Sequence, residues 1–491
     1  MKEPKSIKKN ILMSAILTAS NFVFPLITFS YVARVLTPIG IGKVAFVEAL
    51  LSYFSYIAIL GIPAYGLIQI AKNRGNKEKL AQTVQELLSI NLISTFFAYL
   101  FLFATLLIVP KFTEYTNLVI IMSSSILLNT IGLEWVYKGL EEYTYITIRS
   151  LIVKCIALVL TFLLIKNLND YPWYAFVAVF TTSAGYLLNF LGIKKFISFK
   201  KYAKYDLKKH IKPILTLFSA SIIITIYAHF DISMLGFIST ETEVGLYSAA
   251  SKIRNIVFSV ALIVTPVLIP RMTSYIQQKN LEKAKIFVAT SLRISLVTAL
   301  PLAIYVFINA ENVIYLVCGE SFALAENVLK VLMLCIIPAI LSNLFGNQIL
   351  IPMGLYKRYS QSVFIGLFIN IFFNIILIPL MGATGAALAT VITEVWNVFW
   401  MSNGVKEYRR YLLKNIKFYK FGLALVIGVL VNIEILKLLP EINVFWQLMF
   451  TAIAYFIMFY GILILLKEKL ISQELNTFIS QVRKIKKKTS E

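Results

Sequence analysis

Two apolar runs, joined through the segment from Asp231 to Arg271, carry charge where apolar residues are expected, with Asp231 in the first and Lys252 and Arg254 in the second. A charge at membrane depth costs roughly 2.5 to 3.5 kcal/mol on insertion scales, and such groups face a bundle interior or a wet cavity. With the second run starting at Val244, a rise of about 1.5 Å per residue puts Lys252 about 12 Å down, near the middle of a roughly 30 Å hydrocarbon core. Asp231 comes to a similar depth on the preceding helix. At about 100° per residue, Ser248, Lys252, Asn255 and Ser259 form one stripe and Tyr247, Ser251, Arg254 and Phe258 its neighbour. The two stripes make one polar arc, opposite Leu246, Ala249, Ile253, Ile256, Val257 and Val260. The plainer alternative is that both cations pair with Asp231 or snorkel to the surface. Lys252 is too deep for easy snorkelling and one Asp cannot neutralise two cations, so the arc reads as the wall of a cavity that receives an anion. Lys252, Arg254, Ser248, Asn255 and Tyr247 are its candidate binding residues.

Other membrane-depth polar groups are candidates for coupling or gating. Asp231, His229 and Glu394 are placed to titrate with H+ or Na+. Glu134 and Arg149, with Lys138, lie near the inner ends of two helices, as an ion-paired gate or as a structural pair. Lys154 is deeper. Arg34 and Lys43 read as interfacial anchors. Asn370 with Asn374 reads as helix packing, and the small residues Gly382, Gly385, Ala386, Ala387 and Ala389 read as a close helix approach.

The elements that must hold these groups are membrane helices. The 491-residue chain is 59% hydrophobic and 14% charged, and its mean hydropathy is +0.79. That is a polytopic membrane protein, not a soluble one. A net charge of +23 would suit nucleic acid only on a soluble basic module, and no such module is present. Three cysteines without CxxC spacing and two histidines support neither a disulfide framework nor a metal centre, and no cofactor is expected. The charged N-terminus, MKEPKSIKKN, precedes an apolar run too long for a cleaved leader and is expected to be an uncleaved first helix.

About fourteen apolar runs lie between residues 10 and 466, among them 10–35 and 43–65, 213–238 and 244–270, and 360–380 and 383–403. Basic connections alternate with short neutral or acidic ones, such as Glu241 with Glu243, Glu311 with Glu320, and Glu441. By the positive-inside rule both termini are cytoplasmic, including the basic tail through Lys484 to Lys488. The halves echo each other: Ile41-Gly42 recurs as Val244-Gly245, Asn76-Lys77-Glu78-Lys79 as Asn280-Leu281-Glu282-Lys283, and Gly139-Leu140 as Gly354-Leu355, at offsets drifting from 203 to 215. The expected fold is all-α: two parallel six-helix repeats around a central cavity, plus two C-terminal helices. The divisions are an N-lobe over 1–193, a basic cytoplasmic linker over 194–212 retained by anionic headgroups, a C-lobe over 213–403, helices thirteen and fourteen within 404–466, and a basic tail over 467–491.

DISMLGFISTETEVGLYSAASKIRNIV with LIPRM, NQILIPMGLYKRYSQS and INIFFNIILIPLMGATGAALATVITE resemble the polysaccharide biosynthesis flippases for O-antigen and capsular repeat units, in the multidrug/oligosaccharidyl-lipid/polysaccharide exporter superfamily. The resemblance spans nearly the whole chain. It implies a non-enzymatic protein of the bacterial cytoplasmic membrane that moves an undecaprenyl-pyrophosphate-linked oligosaccharide to the outer leaflet. It also implies as partners the lipid-linked oligosaccharide, membrane lipids, and polysaccharide polymerase and chain-length machinery. Related lipid II flippases use cavity arginines for the pyrophosphate, a role that carries over to Arg254 with Lys252 beside it; the arginines of their early helices have no match here. Two rivals are a multidrug cation antiporter, whose cargo would want carboxylates, and a membrane polysaccharide polymerase, which would need an outer catalytic domain that the short outer connections do not supply.

Overall fold

A computed structural model describes residues 7–200, 202, 205–262, 265–439 and 442–471. The first six residues, Lys204, Glu441 and the Lys484–Lys488 tail lie outside the described residues. Within them the chain is helical, with short 3-10 turns, one π-helical stretch at Leu344–Leu350 and no strand. Ten helices among the described residues are long and apolar enough to cross a membrane. Their outward faces are studded with exposed large apolar side chains, as on Lys77–Ile108, where Phe96, Leu100, Phe103 and Leu107 all point away from the protein. Water would penalise such a surface, whereas lipid matches it. The protein is a multi-pass membrane protein.

The two longest of the ten, Leu12–Asn73 and Tyr356–Asn403, run for 62 and 48 residues, more than one bilayer crossing needs. Each contains a backbone break. Thr37 has φ 57° and ψ 177° immediately before Pro38, a region of the map that costs a β-branched residue about 1–3 kcal/mol. The sequence reading places the gap between its first two runs at this point. In the second helix Gly382 takes φ 56°, open to glycine because it has no Cβ. Beyond it the chain turns back, since a Cβ on Gly385 would stand 2.2 Å from the carbonyl oxygen of Leu377, a residue that continuous helix would hold about 12 Å away along the axis. The buried Ala383, Ala386, Ala387 and Ala389 follow from that close approach. A further interruption at Leu60 and Gly61 separates Ile7–Ile59 from Ile62–Asn73, so the second run extends past its expected end at 65.

The repeated Asn-x-Glu-Lys motif has a local explanation. Asn76 caps Lys77–Ile108, its side chain accepting the N–H groups of Glu78 and Lys79 at 3.0 Å each, and Asn280 caps Leu281–Ile308 by accepting from Lys283 at 3.2 Å. Each cap contributes about 1 kcal/mol, and Glu78 and Glu282 in the first turns suit the positive end of the helix dipole.

The chain divides into two compact units, residues 1–248 with 317–322, and residues 249–316 with 323–491. In the first, Ile62, Leu80, Val84, Leu87, Trp135 and Val136 form a core, above which the basic connection is fastened down. Gln85 donates to the carbonyl oxygens of Ser198 (2.8 Å) and Lys200 (3.2 Å) and accepts from Tyr205. Glu86, fully buried, meets Lys209 at 2.8 Å, His210 at 2.9 Å and the Asp206 N–H at 2.9 Å. The Tyr65 hydroxyl bonds the other nitrogen of His210. Part of this segment's positive charge is thus neutralised by protein. In the second unit, Tyr305 and Asn309 of Leu281–Ile308 bond the last two helices, Asn309 to Asn432 and Tyr305 to Thr451 and the carbonyl of Leu448.

Candidate functional site

The helix Glu241–Leu262 is not among the ten, because its polar arc lowers its hydropathy. Its apolar side is packed into protein: Leu246, Ala249, Ile253 and Val257 are buried. The arc is the more open side from Ser251 towards the helix C-terminus, with Ser251, Lys252, Arg254 and Ser259 half-buried and Asn255 exposed. Towards the helix N-terminus it closes, as Tyr247 and Ser248 are buried. The guanidinium of Arg254 lies 5.6 Å from the centroid of the Phe258 ring, and its Nη2 reaches the Cys335 thiol at 3.7 Å. The Phe258 ring and the Cys335 thiol help to orient the fork.

Asp231 is buried on Lys208–Ile238, where Tyr247 donates to its Oδ2 at 2.6 Å. The Tyr247 hydroxyl, expected on the binding arc, is therefore directed to Asp231. Nearby, Ser233 donates to the carbonyl of His229 at 3.0 Å and shares a 2.9 Å hydrogen bond with Tyr53. Tyr53 and Ser233 carried no sequence signal. Glu134 holds Lys138 at 2.7 Å and Arg149 at 3.2 Å, while Arg149 also donates to the carbonyl of Gly185 at 2.9 Å. This cluster ties three helices of one unit together. Lys154 is buried beside Ser20 and Asn21. In the second unit Glu394 is buried one turn from Asn397, which accepts from Ser362 at 3.0 Å, and Asn374 donates to Asn370 at 3.1 Å along their own helix.

At the N-terminal end of Glu241–Leu262 the repeated glycines meet. A Cβ on Gly42 would lie 1.8 Å from the carbonyl oxygen of Glu241, and one on Gly245 would lie 2.0 Å from that of Pro38. The contact is reciprocal, backbone against backbone. Beside it the Tyr115 hydroxyl donates to Glu241, a bond that holds the Glu241 carboxyl below its ordinary range, while burial pushes Tyr115 up. Lys43 lies over the Tyr171 ring at 4.9 Å, as an interfacial anchor would.

Helices broken and folded back in this order define a membrane-transporter fold. It is the fold of "Lipid II flippase MurJ, inward closed conformation", at a TM-score of 0.68 and 16% identity over 94% of this chain and all of that one. An inward-facing multidrug resistance MATE family transporter of the MOP superfamily shares it at a TM-score of 0.63 and 14% identity, over 83% of this chain and all of that one. The profile of the family described as Polysaccharide biosynthesis protein matches residues 7–276, more than half of the chain, and the chain belongs to that family. The MatE profile matches residues 217–393. Among curated relatives, the "Putative O-antigen transporter" of Escherichia coli (strain K12) is 22% identical over 79% of this chain and 94% of its own length. Its namesake from Shigella dysenteriae is 25% identical over 81% of this chain and its whole length. The family expected from the sequence motifs is the one found.

Proposed function

We propose that the protein is a flippase that carries an undecaprenyl-pyrophosphate-linked oligosaccharide repeat unit from the inner to the outer leaflet of the bacterial cytoplasmic membrane, for O-antigen-like or capsular polysaccharide assembly. The observation that carries this reading is the helix Glu241–Leu262, whose apolar side is buried while Lys252 and Arg254 on its polar arc are half-buried and Asn255 is exposed. Two cations in a low-dielectric setting favour a diphosphate, and Ser and Asn groups suit sugar hydroxyls. The names of the relatives point the same way. Transport proceeds by alternating access between lobes 1–193 and 213–403. With the cell interior negative, each negative charge moved outward gains about 2.3 kcal/mol per 100 mV. Asp231, His229 and Glu394 are the groups for H+ or Na+ coupling.

The test is reconstitution into vesicles with a labelled lipid-linked oligosaccharide, followed by its outward appearance. Protein-dependent flipping is expected, and in a producing strain loss of the gene should remove surface glycan and build up the intermediate in the inner leaflet. Flipping no faster than in protein-free vesicles would sink the proposal. The MatE match and the buried carboxylates Asp231 and Glu394 favour one rival, efflux of organic cations, which a cationic dye in the same vesicles distinguishes.

Both termini and residues 194–212 are proposed to be cytoplasmic, with Glu241–Glu243 outside. Single cysteines at Lys200 and Thr242, in a background without the three native ones, should react with an impermeant maleimide on intact cells at 242 alone. Labelling at 200 alone would reverse the orientation.

A further inference from the structure

Lys154 stands midway along the 22-residue helix Tyr143–Leu164, where a charge is farthest from either membrane surface. Its side chain is buried, and its Nζ donates to Ser20 Oγ at 2.7 Å and to Asn21 Oδ1 at 2.5 Å, both on Ile7–Ile59. An ammonium has three N–H groups and a full charge. Two neutral oxygens satisfy two of those groups and none of the charge. Among the described residues, the ammonium has these two partners and no carboxylate. Other basic groups in the same unit are treated differently: Arg149 is held by Glu134, and Lys209 by the buried Glu86. An uncompensated cation at this depth is unfavourable in the way that a buried pair with one partner removed is. Ser20 is buried but Asn21 is exposed, so one of the two groups that hold the ammonium reaches the surface of the protein.

On the function proposed above, we infer that Lys154, held in place by Ser20 and Asn21, is a further anion-binding position that takes a phosphate oxygen of the isoprenoid-diphosphate part of the cargo. The phosphate oxygen accepts the third N–H and supplies the missing countercharge. Neutral partners suit this role because they aim the ammonium without competing for it, whereas a carboxylate would cancel it before any cargo arrived. Lysine acts here as a point charge, so it tolerates a ligand that moves past it better than a bidentate fork would. The empty protein therefore stores an unfavourable charge that binding relieves.

That storage gives the test. The full-length protein in phosphatidylcholine nanodiscs is melted and titrated with undecaprenyl pyrophosphate, with undecaprenol, inorganic pyrophosphate and added phosphatidylglycerol as controls. Lys154→Met should raise the melting temperature of the empty protein and weaken undecaprenyl pyrophosphate binding about tenfold or more, while Lys154→Arg keeps most of the affinity. A purely structural lysine gives the reverse, a lower melting temperature with unchanged affinity, and that result overturns the inference. So does a Lys154-dependent shift produced equally by phosphatidylglycerol, which would mark a general headgroup site. If wild type binds undecaprenyl pyrophosphate and only Arg254→Ala weakens it, the role of Lys154 fails and the proposed function stands. If wild type binds none, the proposed function itself fails.

Discussion

Arg254→Ala should abolish repeat-unit export at unchanged protein abundance, whereas Arg254→Lys should keep part of it. Alanine removes both the Coulomb attraction and the planar pair of donors, and lysine restores only the charge. Truncating one partner of a desolvated, hydrogen-bonded charge pair costs about 2–5 kcal/mol, or roughly thirtyfold and upward in affinity. Lys252→Ala should impair export less, because the Arg254 fork is already aimed by Phe258 and Cys335. Surface glycan and accumulated lipid-linked intermediate are the two readouts. If the cations served only to balance Asp231, the combination Asp231→Asn with Lys252→Met would restore stability and transport together. Full export by the Arg254→Ala, Lys252→Ala double variant would dispose of the anion-binding role.

Gly245→Ala should lower thermal stability and cut export severely, although it adds a single methyl group. The added Cβ would meet the Pro38 carbonyl oxygen at 2.0 Å and its carbon at 2.7 Å. These are backbone atoms, so no rotamer change relieves the clash and the helices must separate by an ångström or more. Overpacking of this kind costs about 1–3 kcal/mol and occasionally more. Gly42→Ala faces the Glu241 carbonyl oxygen in the same way and should behave alike. The Tyr115–Glu241 bond lies beside this contact, so a cysteine at Thr242 should become more reactive from outside in both variants. Wild-type melting and export in Gly245→Ala would show that the glycines are not a tight contact.

Much of this was readable from local patterns. The polar arc of Lys252 and Arg254 shows in cost and periodicity and the association of Glu134 with Arg149 and Lys138 in their places near helix ends, whereas Asn76 and Asn280 showed only as a repeat whose capping role the structure supplies. The paired glycines were legible as a repeat, but not that they touch. What sequence could not supply was every contact between distant helices. Lys154 finds Ser20 and Asn21 from more than 130 residues away, and Glu86 finds His210 from 124, with no periodicity to announce either. The arc of Glu241–Leu262 was legible, but which side would be buried was not: the apolar side suits lipid or protein equally, and only packing decides.

The grip of Gln85 and Glu86 on the segment from Ser198 to His210 bears on how continuous the polypeptide needs to be. A segment rich in lysine would ordinarily be a ready substrate for trypsin. Here the lysine at 209 is engaged by a buried carboxylate, and the chain on both sides of it, at Asp206 and His210, is tied to one helix. A backbone cut near residue 202 would leave two fragments still joined by these bonds. Co-expressed as separate polypeptides ending and starting there, the fragments should assemble, and Glu86→Ala should make that assembly fail while harming the intact chain far less.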